Sequence, residues 1–478
     1  MTSKKLAFTN FISSSKSKIK KSSNDFTSFL SSKSKTSSSE NKLVLLSTFS
    51  LLLLGVYFFS VFHEDFEKFN AHKISSTLGI TFIAVAVSLF TFKVLFFLYK
   101  AFNYYQYKPI ASAPDKELPT CTIIVPAYNE GKQVWDTLMS IANSNYPKHK
   151  IQIISIDDGS KDDTWKWMLD AKRNLGNRLE IYQQPENQGK RQALYRGFNL
   201  ATGDIYITVD SDSIVTEDTI RNLVSPFIEN EQCGAVAGNI RVLNNKKEML
   251  PKMLDVSFVL SFEFVRSAES NLNSVLCTPG ALAAYKSTAV HKCLPEWINQ
   301  TFMGKPSDIG EDRALTNMIL KQGKHVLFQK NAIAYTNVPE QYIGLYKMFI
   351  RWGRSNVRES LEMAKYVFTN FRDKGKSGTR ILFISQFLKI LMSYPLLIAM
   401  LFFVSVHPLL FIGSTSVSIL IISTFSVIFF STKYKTTQGI WAYSYSILYT
   451  FALFWITPYA IATASKRGWL TRDLSPTK

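Results

Sequence analysis

Residues 204–212 read DIYITVDSD, a short β-branched and aromatic run that ends in two aspartates separated by one serine. Similar runs recur along the chain and read as strands, and longer amphipathic segments, such as residues 132–144 and 162–174, read as helices between them. The other strand-like runs are CTIIVPAY (121–128), IQIISIDD (151–158), LEIYQQ (179–184) and GAVAGNIRV (234–242). This alternation predicts an α/β domain with a mostly parallel sheet over residues 118–340. Ligands bind such sheets beyond the carboxyl ends of the strands, where the acidic residues fall.

Apolar runs flank this domain on both sides, and each is near the ~20 residues that cross a ~30 Å hydrocarbon core as a helix. The runs cover residues 43–62, 78–99, 381–406, 409–430 and 440–462. The sequence therefore predicts an integral inner (plasma) membrane protein, with membrane helices over 43–100 and 381–464. The basic and aromatic segment 341–372 is predicted to form amphipathic helices in the membrane interface.

The composition favours a membrane protein over a nucleic-acid-binding protein. Of the 478 residues, 46% are hydrophobic and 14% are aromatic, which is rich for a purely soluble chain. The net charge of +19 is typical of basic residues at the cytosolic ends of membrane helices, and no zinc-finger or RNA-binding pattern accompanies it. No nucleic-acid partner is therefore predicted. The Ser/Lys tract 1–42 is predicted to be a disordered cytosolic tail, which places the α/β domain in the cytosol. The four cysteines have no CxxC spacing, so neither a zinc site nor a disulfide framework is predicted.

Acidic residues that follow the predicted strands could support chemistry on a diphosphate. Asp210-Ser211-Asp212 could hold a hard cation that neutralises a diphosphate leaving group, and Asp157-Asp158 ends a second strand. An Asp-x-Asp triplet alone is more often a solvated turn, but the second acidic strand end favours the functional interpretation. Glu311-Asp312 could supply a general base, or could only offset the dipole at a helix N-terminus.

Two basic segments could contact the same ligand. Gly189-Lys190-Arg191 could place two cations near a phosphate, although a surface basic pair is the simpler interpretation. Arg351-Trp352 combines a guanidinium suited to a diphosphate with an aromatic face on which a sugar ring can stack. The simpler interpretation here is an interfacial helix with snorkelling arginines.

The segments occur in an ordered series that resembles a known family. VPAYNE (125–130), DDGSKD (157–162), GKRQAL (189–194), DSD (210–212), GEDR (310–313) and RW (351–352) are similar to motifs of the processive family 2 glycosyltransferases, particularly hyaluronan synthases and nodulation chitooligosaccharide synthases. The resemblance covers about residues 43–472 and implies a GT-A (nucleotide-diphospho-sugar transferase) α/β domain inserted between transmembrane helices. It also implies inversion at the anomeric carbon, Mg²⁺ or Mn²⁺ as cofactor, and as partners a UDP-sugar donor, a growing polysaccharide acceptor and the lipid bilayer. It does not indicate the oligomeric state.

The resemblance implies roles for individual residues. Asp312 is expected to be the general base beside Glu311, and Asp212 and Asp210 are expected at the metal and the diphosphate. Arg351 is expected at the diphosphate and Trp352 at the acceptor sugar. The other expected substrate contacts are Ala127, Tyr128, Glu130, Asp158, Lys190 and Arg191 at the nucleotide, Cys277 in an acceptor loop, and Trp469 and Arg472 in a gating-like motif within the tail 465–478.

The sequence departs from the family at three positions. Met348 replaces the glutamine of the Gln-x-x-Arg-Trp motif, Pro279-Gly280 reverses a usual Gly-Pro, and Leu470 replaces a glycine of the gating motif. These three differences affect the prediction of the product and its chain length more than the prediction of the reaction type.

Two other functions stay open from the sequence: a single-transfer glycosyltransferase acting on a lipid phosphate, and a transporter or scaffold without catalysis. The gating-like motif in the tail must reach an active site that is expected in the cytosol. Three crossings after the α/β domain would leave the tail outside, so we expect one of the three C-terminal apolar runs not to cross the membrane fully. We also expect the polymer to leave through the chain's own helices. The residues expected to line that channel are Ser393, Tyr394, Trp441, Tyr443, Tyr445 and Tyr449.

Overall fold

The computed structural model describes residues 38–64, 67, 68, 71, 77–246, 248–434 and 436–467. Most of the predicted tail 1–42 lies outside these residues, as do Trp469 and Arg472 of the gating-like motif.

Strands in the described residues form an eight-stranded sheet and a separate two-stranded one. The strands are β1 (Cys121–Ala127), β2 (Ile151–Asp157), β3 (Leu179–Gln183), β4 (Ile205–Thr208), β5 (Ser213–Val215), β6 (Cys233–Val242), β7 (Ala283–Lys286), β8 (Thr301–Phe302), β9 (Lys305–Pro306) and β10 (His325–Thr336). In the large sheet the order is β3-β2-β1-β4-β7-β6-β10-β5. The five strands that the sequence predicts are all present.

Helices cover both faces of the large sheet and continue into the flanking segments. They are α1 (Ser38–Val61), α2 (Thr77–Gln106), α3 (Gln133–Ala142), α4 (Thr164–Leu175), α5 (Lys190–Leu200), α6 (Thr219–Glu229), α7 (Met249–Phe258), α8 (Arg266–Asn271), α9 (Ser287–Ile298), α10 (Glu311–Lys321), α11 (Tyr342–Ala364), α12 (Lys376–Leu391), α13 (Ser393–Val406), α14 (Pro408–Tyr434), α15 (Trp441–Ala452) and α16 (Ile456–Ala462). A π-helical turn, Val259–Val265, joins α7 to α8.

The sheet is buried because neighbouring residues of one strand point to opposite faces. Ile123 belongs to the core that includes Leu138 of α3. Its neighbour Ile124 faces the other layer, which contains Phe198 of α5 and Trp297 of α9. Every residue of β1 is accordingly buried, as a strand covered on both sides requires.

The sheet is mixed but mostly parallel, as predicted: six of its eight strands run in one direction, and β5 and β7 run opposite to them. Strands β1, β2, β3 and β4 pair in parallel, as do β6 and β10. Strand β7 runs antiparallel to both β4 and β6, and β5 runs antiparallel to β10. The sequence AAYK of β7 is too short for a local pattern to reveal it, and its pairing depends on distant parts of the chain.

Among the described residues, two helices are long and apolar enough to cross a membrane: Gly79–Gln106 in α2, and α14. Two helix pairs pass the same test only together: α12 with α13, bent by 45°, and residues 437–452 with α16, bent by 48°. The apolar part of α1, Val44–Tyr57, is shorter. These helices coincide with the predicted apolar runs, and their insertion into a membrane stays a prediction.

Candidate active site

A cavity of about 740 Å³ lies at the carboxyl end of the parallel strands and brings together most of the residues that the sequence singles out. It extends past α11 to Ser426 of α14 and to Tyr445 and Tyr449 of α15. The expected site residues that line it are Ala127, Tyr128, Glu130, Asp158, Lys190, Asp210, Asp212, Cys277, Glu311, Asp312, Arg351 and Trp352.

Sheet register explains why these distant segments meet. Ala127 at the end of β1 is paired with Asp157 at the end of β2, and β4, which precedes Asp210, lies on the other side of β1. Parallel strands end at the same sheet edge, so the residues that follow them converge there.

Asp158 fixes the loop that leads into α5. Its carboxylate accepts hydrogen bonds from the backbone N–H of Gln188 (3.0 Å) and of Gly189 (2.8 Å), and from the side-chain amide of Gln184. Burial raises the pKa of Asp158 to about 6, although these hydrogen bonds oppose the rise. Gly189 has a φ of 94°, a backbone conformation that favours glycine, and it directs the following residue into the cavity.

Lys190 is held between two carboxylates of the cavity. Its Nζ lies 2.5 Å from Asp210 Oδ1 and 3.2 Å from Glu311 Oε1. Burial lowers the pKa of Lys190, but the negative charges of Asp210, Glu311 and Asp312 outweigh burial and raise it. The ammonium group therefore stays charged and can face a diphosphate.

Arg191 does not line the cavity, although the sequence places it beside Lys190. Its Nη1 donates hydrogen bonds to the carbonyl oxygen of Trp297 (2.6 Å) and to Gln300 Oε1 (3.0 Å). Successive side chains on a helix diverge by about 100°. Lys190 and Arg191 consequently point to different surroundings, and Arg191 contacts buried protein groups.

The carboxyl group of Asp312 lies in the first turn of α10, next to the expected acceptor loop. Its Oδ2 accepts a hydrogen bond from the backbone N–H of Gly280 (3.1 Å) and lies 3.9 Å from the Cys277 sulfur. Burial, followed by the charge of Glu311, raises the pKa of Asp312. A partly buried carboxyl group with a raised pKa inside a cavity is suited to accept a proton.

Asp210 and Asp212 are the carboxylates available to a cation. Asp212 Oδ1 accepts hydrogen bonds from the hydroxyl groups of Thr336 (3.3 Å) and Ser213 (3.4 Å). Among the described residues, no cluster of three or more His, Cys, Asp or Glu side chains could hold a metal ion. Two carboxylates nevertheless fit Mg²⁺ or Mn²⁺ bound with a substrate diphosphate, because phosphate oxygens and water complete such sites.

The aromatic end of the cavity begins at Trp352 on α11, whose side chain is 41% exposed. Its ring centroid lies 5.5 Å from that of Phe349 and 6.3 Å from that of Phe258. Of the residues expected to line a channel, Tyr445 and Tyr449 line this cavity. The other four do not line it, namely Ser393, Tyr394, Trp441 and Tyr443.

Several lining residues have no sequence signal that could reveal them. The π-helical turn contributes Leu260, Ser261 and Phe262 to the cavity wall, and Arg266 and Arg313 bring further positive charge. Only Arg313 belongs to one of the motifs. The π-helical turn has the composition of an ordinary apolar helix, so the tertiary packing alone identifies it.

Comparisons with known proteins identify relatives of the residues that form this cavity. Residues 119–355 match the family model described as glycosyltransferase like family 2. An N-acetylglucosaminyltransferase of Rhizobium meliloti (strain 1021) is 33% identical over 254 residues, which cover 53% of this chain and 58% of that protein. A hyaluronan synthase of Streptococcus pyogenes serotype M3 is 29% identical over 303 residues, which cover 62% and 68%. The chain thus spans less than two thirds of the length of the first of these relatives.

A solved structure supports the same fold. A mannosyltransferase from Pyrobaculum calidifontis, in complex with GDP-Man and Mn²⁺, superposes with a TM-score of 0.54 at 22% identity, covering 77% of this chain and 97% of that one. At this identity the likeness shows the fold alone, and it confirms the predicted GT-A fold. By the match to the family model and the similarity to these relatives, residues 119–355 of the chain form a glycosyltransferase family 2 domain.

Proposed function

We propose that the chain is a processive, inverting glycosyltransferase that polymerises a β-linked polysaccharide from a UDP-sugar on the cytosolic side of a membrane. The donor sugar is GlcNAc, GlcA or both, so that the product is hyaluronan-like or chitin-like, and the polymer leaves through the chain's own helices. One observation carries the proposal: a single cavity contains the acidic groups at the sheet edge, the partly buried Asp312, the Arg351-Trp352 pair and aromatic residues of α15.

Donor binding is assigned to the sheet-edge end of the cavity. Ala127, Tyr128, Glu130 and Asp158 face the uridine. Lys190 and Arg351 face the diphosphate, whose charge their cationic groups balance. Asp210 and Asp212 would hold Mg²⁺ or Mn²⁺, which supplies charge neutralisation at the diphosphate when bound. The Mn²⁺ in the Pyrobaculum mannosyltransferase structure supports this choice of cofactor.

Transfer follows from the position of Asp312. The terminal sugar of the acceptor stacks on Trp352, and its attacking hydroxyl group gives its proton to the Asp312 carboxylate. The hydroxyl oxygen forms a bond to the anomeric carbon while the bond from that carbon to the diphosphate oxygen breaks. UDP leaves from the side opposite the attack, so the configuration inverts. The raised pKa of Asp312 strengthens it as a proton acceptor.

Repeated transfer is supported by the aromatic end of the cavity and by the relatives. Trp352, Tyr445 and Tyr449 offer faces on which sugars can stack between the site of transfer and the membrane helices. The names of two relatives also support the proposal, because one is an N-acetylglucosaminyltransferase and the other is a synthase of hyaluronan, a polymer.

Incubation with UDP-sugars tests the proposal. The purified chain with Mn²⁺ is given UDP-GlcNAc, UDP-GlcA and UDP-glucose singly and in pairs, and UDP release and product length are measured. The proposal expects long products while most of the donor is still unused. A product limited to one sugar on a lipid would favour the single-transfer alternative. No UDP release from any donor, with UDP binding retained, would favour a non-catalytic protein.

A further inference from the structure

A buried hydrogen-bond chain runs behind the active-site cavity, on the side away from the substrates. It consists of Arg191, Gln300, Glu359, Asn317 and Tyr366, none of which lines the cavity. Arg191, Asn317, Glu359 and Tyr366 are buried, and Gln300 is partly buried.

Each member contacts the next at hydrogen-bonding distance. Arg191 Nη1 donates to Gln300 Oε1 (3.0 Å), and Gln300 Nε2 donates to Glu359 Oε1 (2.7 Å). From the other end, the Tyr366 hydroxyl donates to Asn317 Oδ1 (2.6 Å), and Asn317 Nδ2 donates to Glu359 Oε2 (3.0 Å). Every bond therefore points towards the Glu359 carboxylate.

The direction of the bonds allows only one orientation of the Gln300 amide, which lies between Arg191 and Glu359. A guanidinium group can only donate hydrogen bonds, and an ionised carboxylate can only accept them. If the Gln300 amide turned over, its NH₂ group would face Arg191 and its oxygen would face Glu359. Both contacts would then be lost, and buried polar groups would be left without hydrogen-bond partners.

The chain joins the three helices that carry the proposed chemistry. Arg191 follows Lys190 on α5, Asn317 belongs to α10 with Asp312, and Glu359 belongs to α11 with Arg351. Trp297 adds a second link, because it accepts a hydrogen bond from Arg191 through its carbonyl oxygen (2.6 Å) and donates one from Nε1 to the Glu311 carbonyl oxygen (2.9 Å).

We propose that this buried hydrogen-bond chain is a positioning device for sugar transfer, which holds the helices of Lys190, Asp312 and Arg351 in one mutual alignment. The inference rests on the proposed function. Because each bond requires its donor and acceptor to lie 2.6–3.0 Å apart, the linked helices are restrained to one relative position, which keeps the proton acceptor aligned with the donor diphosphate. A misplacement of about 1 Å at reacting groups can cost on the order of 10²-fold in rate.

A matched pair of substitutions separates alignment from general stability. Gln300→Met keeps the volume of the side chain and breaks the hydrogen-bond chain. Gln329→Met is the control: Gln329 is 1% exposed, its amide bonds to both the N–H (3.2 Å) and the carbonyl oxygen (2.7 Å) of Ile110, and it does not line the cavity.

The two variants are compared by melting temperature, by UDP affinity and by kcat for UDP release. We expect Gln300→Met to lower kcat by about 10- to 100-fold and to weaken UDP binding by a clearly smaller factor, because Lys190 and Arg351 are also assigned to the diphosphate. We expect Gln329→Met to lower the melting temperature at least as much and to keep kcat within about threefold. Equal kcat in the two variants, or a loss of UDP affinity as large as the loss of kcat, would overturn the inference.

A milder variant covers the case in which Gln300→Met does not fold. Tyr366→Phe removes only the hydroxyl group at the far end of the chain, and we expect kcat to fall about three- to tenfold with UDP affinity unchanged. An unchanged kcat in Tyr366→Phe contradicts the inference. If the wild-type protein itself releases no UDP from any donor, the proposed function fails instead, so the two failures are distinguishable.

Discussion

Asp312 combines burial, a neighbouring acidic residue and a place beside the acceptor loop, and its substitution gives the first prediction. Asp312→Asn should lower the rate of UDP release by about 10²- to 10⁴-fold, because the attacking hydroxyl group loses its proton acceptor. The affinity for UDP should stay nearly unchanged, since this group acts on the acceptor. UDP binding by calorimetry and UDP release at equal expression check both parts. Near-wild-type polymer yield would remove Asp312 from the role of base.

Asp212 gives a contrasting prediction at the same scale. Asp212→Ala should weaken Mn²⁺-dependent UDP binding as well as the rate, because the carboxylate is assigned to the cation that carries the diphosphate. Titration of UDP with and without Mn²⁺ separates the part of UDP binding that depends on the cation from the part that does not. If the variant binds UDP as wild type does in the presence of Mn²⁺, the cation is held elsewhere.

Asp158 predicts a dependence of donor binding on pH. Its pKa is raised to about 6, so the carboxylate that anchors the Gln188 and Gly189 N–H groups becomes protonated as the pH falls through that value. UDP affinity should therefore decrease between pH 7.5 and pH 5.5, and Asp158→Asn should lack that part of the decrease. An identical pH profile in the variant would exclude Asp158 as the cause.

The effect of Asp158 on folding has the opposite sign. A folded-state pKa above the unfolded value means that this group's contribution to stability is complete below the unfolded value, near 3.8, and is lost as the pH rises through about 6. Burial of Asp158 therefore lowers the stability of the folded protein at neutral pH. At that pH the Asp158 carboxylate is charged and accepts the hydrogen bonds that hold the loop beside the proposed donor site.

At the scale of single elements, the sequence predicts those strands and helices that have a clear local pattern of apolar residues. The five strands with long apolar runs and the acidic turns after them are found where expected. Strand β7 is missed because its four residues carry no recognisable period, and its antiparallel pairing is set by contacts far along the chain. The sequence does not reveal the direction of Arg191, since adjacent helical residues can line one cavity, as Arg351 and Trp352 do, or diverge, as Lys190 and Arg191 do.

Helix α11 holds the end of the described chain against the catalytic domain. Arg358 donates hydrogen bonds to the carbonyl oxygens of Ala464 (2.6 Å) and Lys466 (2.8 Å), and Arg354 bonds to Thr463 Oγ1 (3.0 Å). Arg467 forms an ion pair with Asp308 at 2.7 Å. Asp308 lies just before Gly310 and the acidic start of α10, so residues 463–467 end beside the active site.

This attachment predicts the side of the membrane on which the tail lies. A cysteine introduced at Ser475 should not react with an impermeant thiol reagent in intact cells, because residues 463–467 are fixed to the domain expected in the cytosol. His63→Cys is the positive control: residue 63 follows the first apolar run, 43–62, and a cytosolic N-terminal tail would place it outside. Labelling at position 475 in intact cells would show that the tail and the α/β domain lie on opposite sides of the membrane, which would contradict the prediction. If the tail and the α/β domain lie on the same side of the membrane, the chain must cross the membrane an even number of times between α11 and residue 463. One of the three C-terminal apolar runs would then not cross.

At the scale of the whole molecule, the proposed sites of synthesis and of polymer exit share one cavity. The cavity extends from the edge of the sheet past Trp352 to α14 and α15, so a polymer made at Asp312 needs no second binding site to reach the helices. A sugar chain cannot cross lipid unaided, because each unpaired hydroxyl group moved into hydrocarbon costs on the order of 2–7 kcal/mol. Aromatic faces and hydroxyl groups such as those of Tyr445 and Tyr449 can replace water along such a path.

Reconstitution of the purified chain into sealed vesicles tests the coupling of synthesis and exit most directly. UDP-sugar and Mn²⁺ are supplied only on the side of the catalytic domain, and polymer is then treated with an added glycosidase. The account predicts polymer inside the vesicles that is protected from the enzyme until detergent is added. Polymer found wholly on the donor side, and fully digested without detergent, would contradict it.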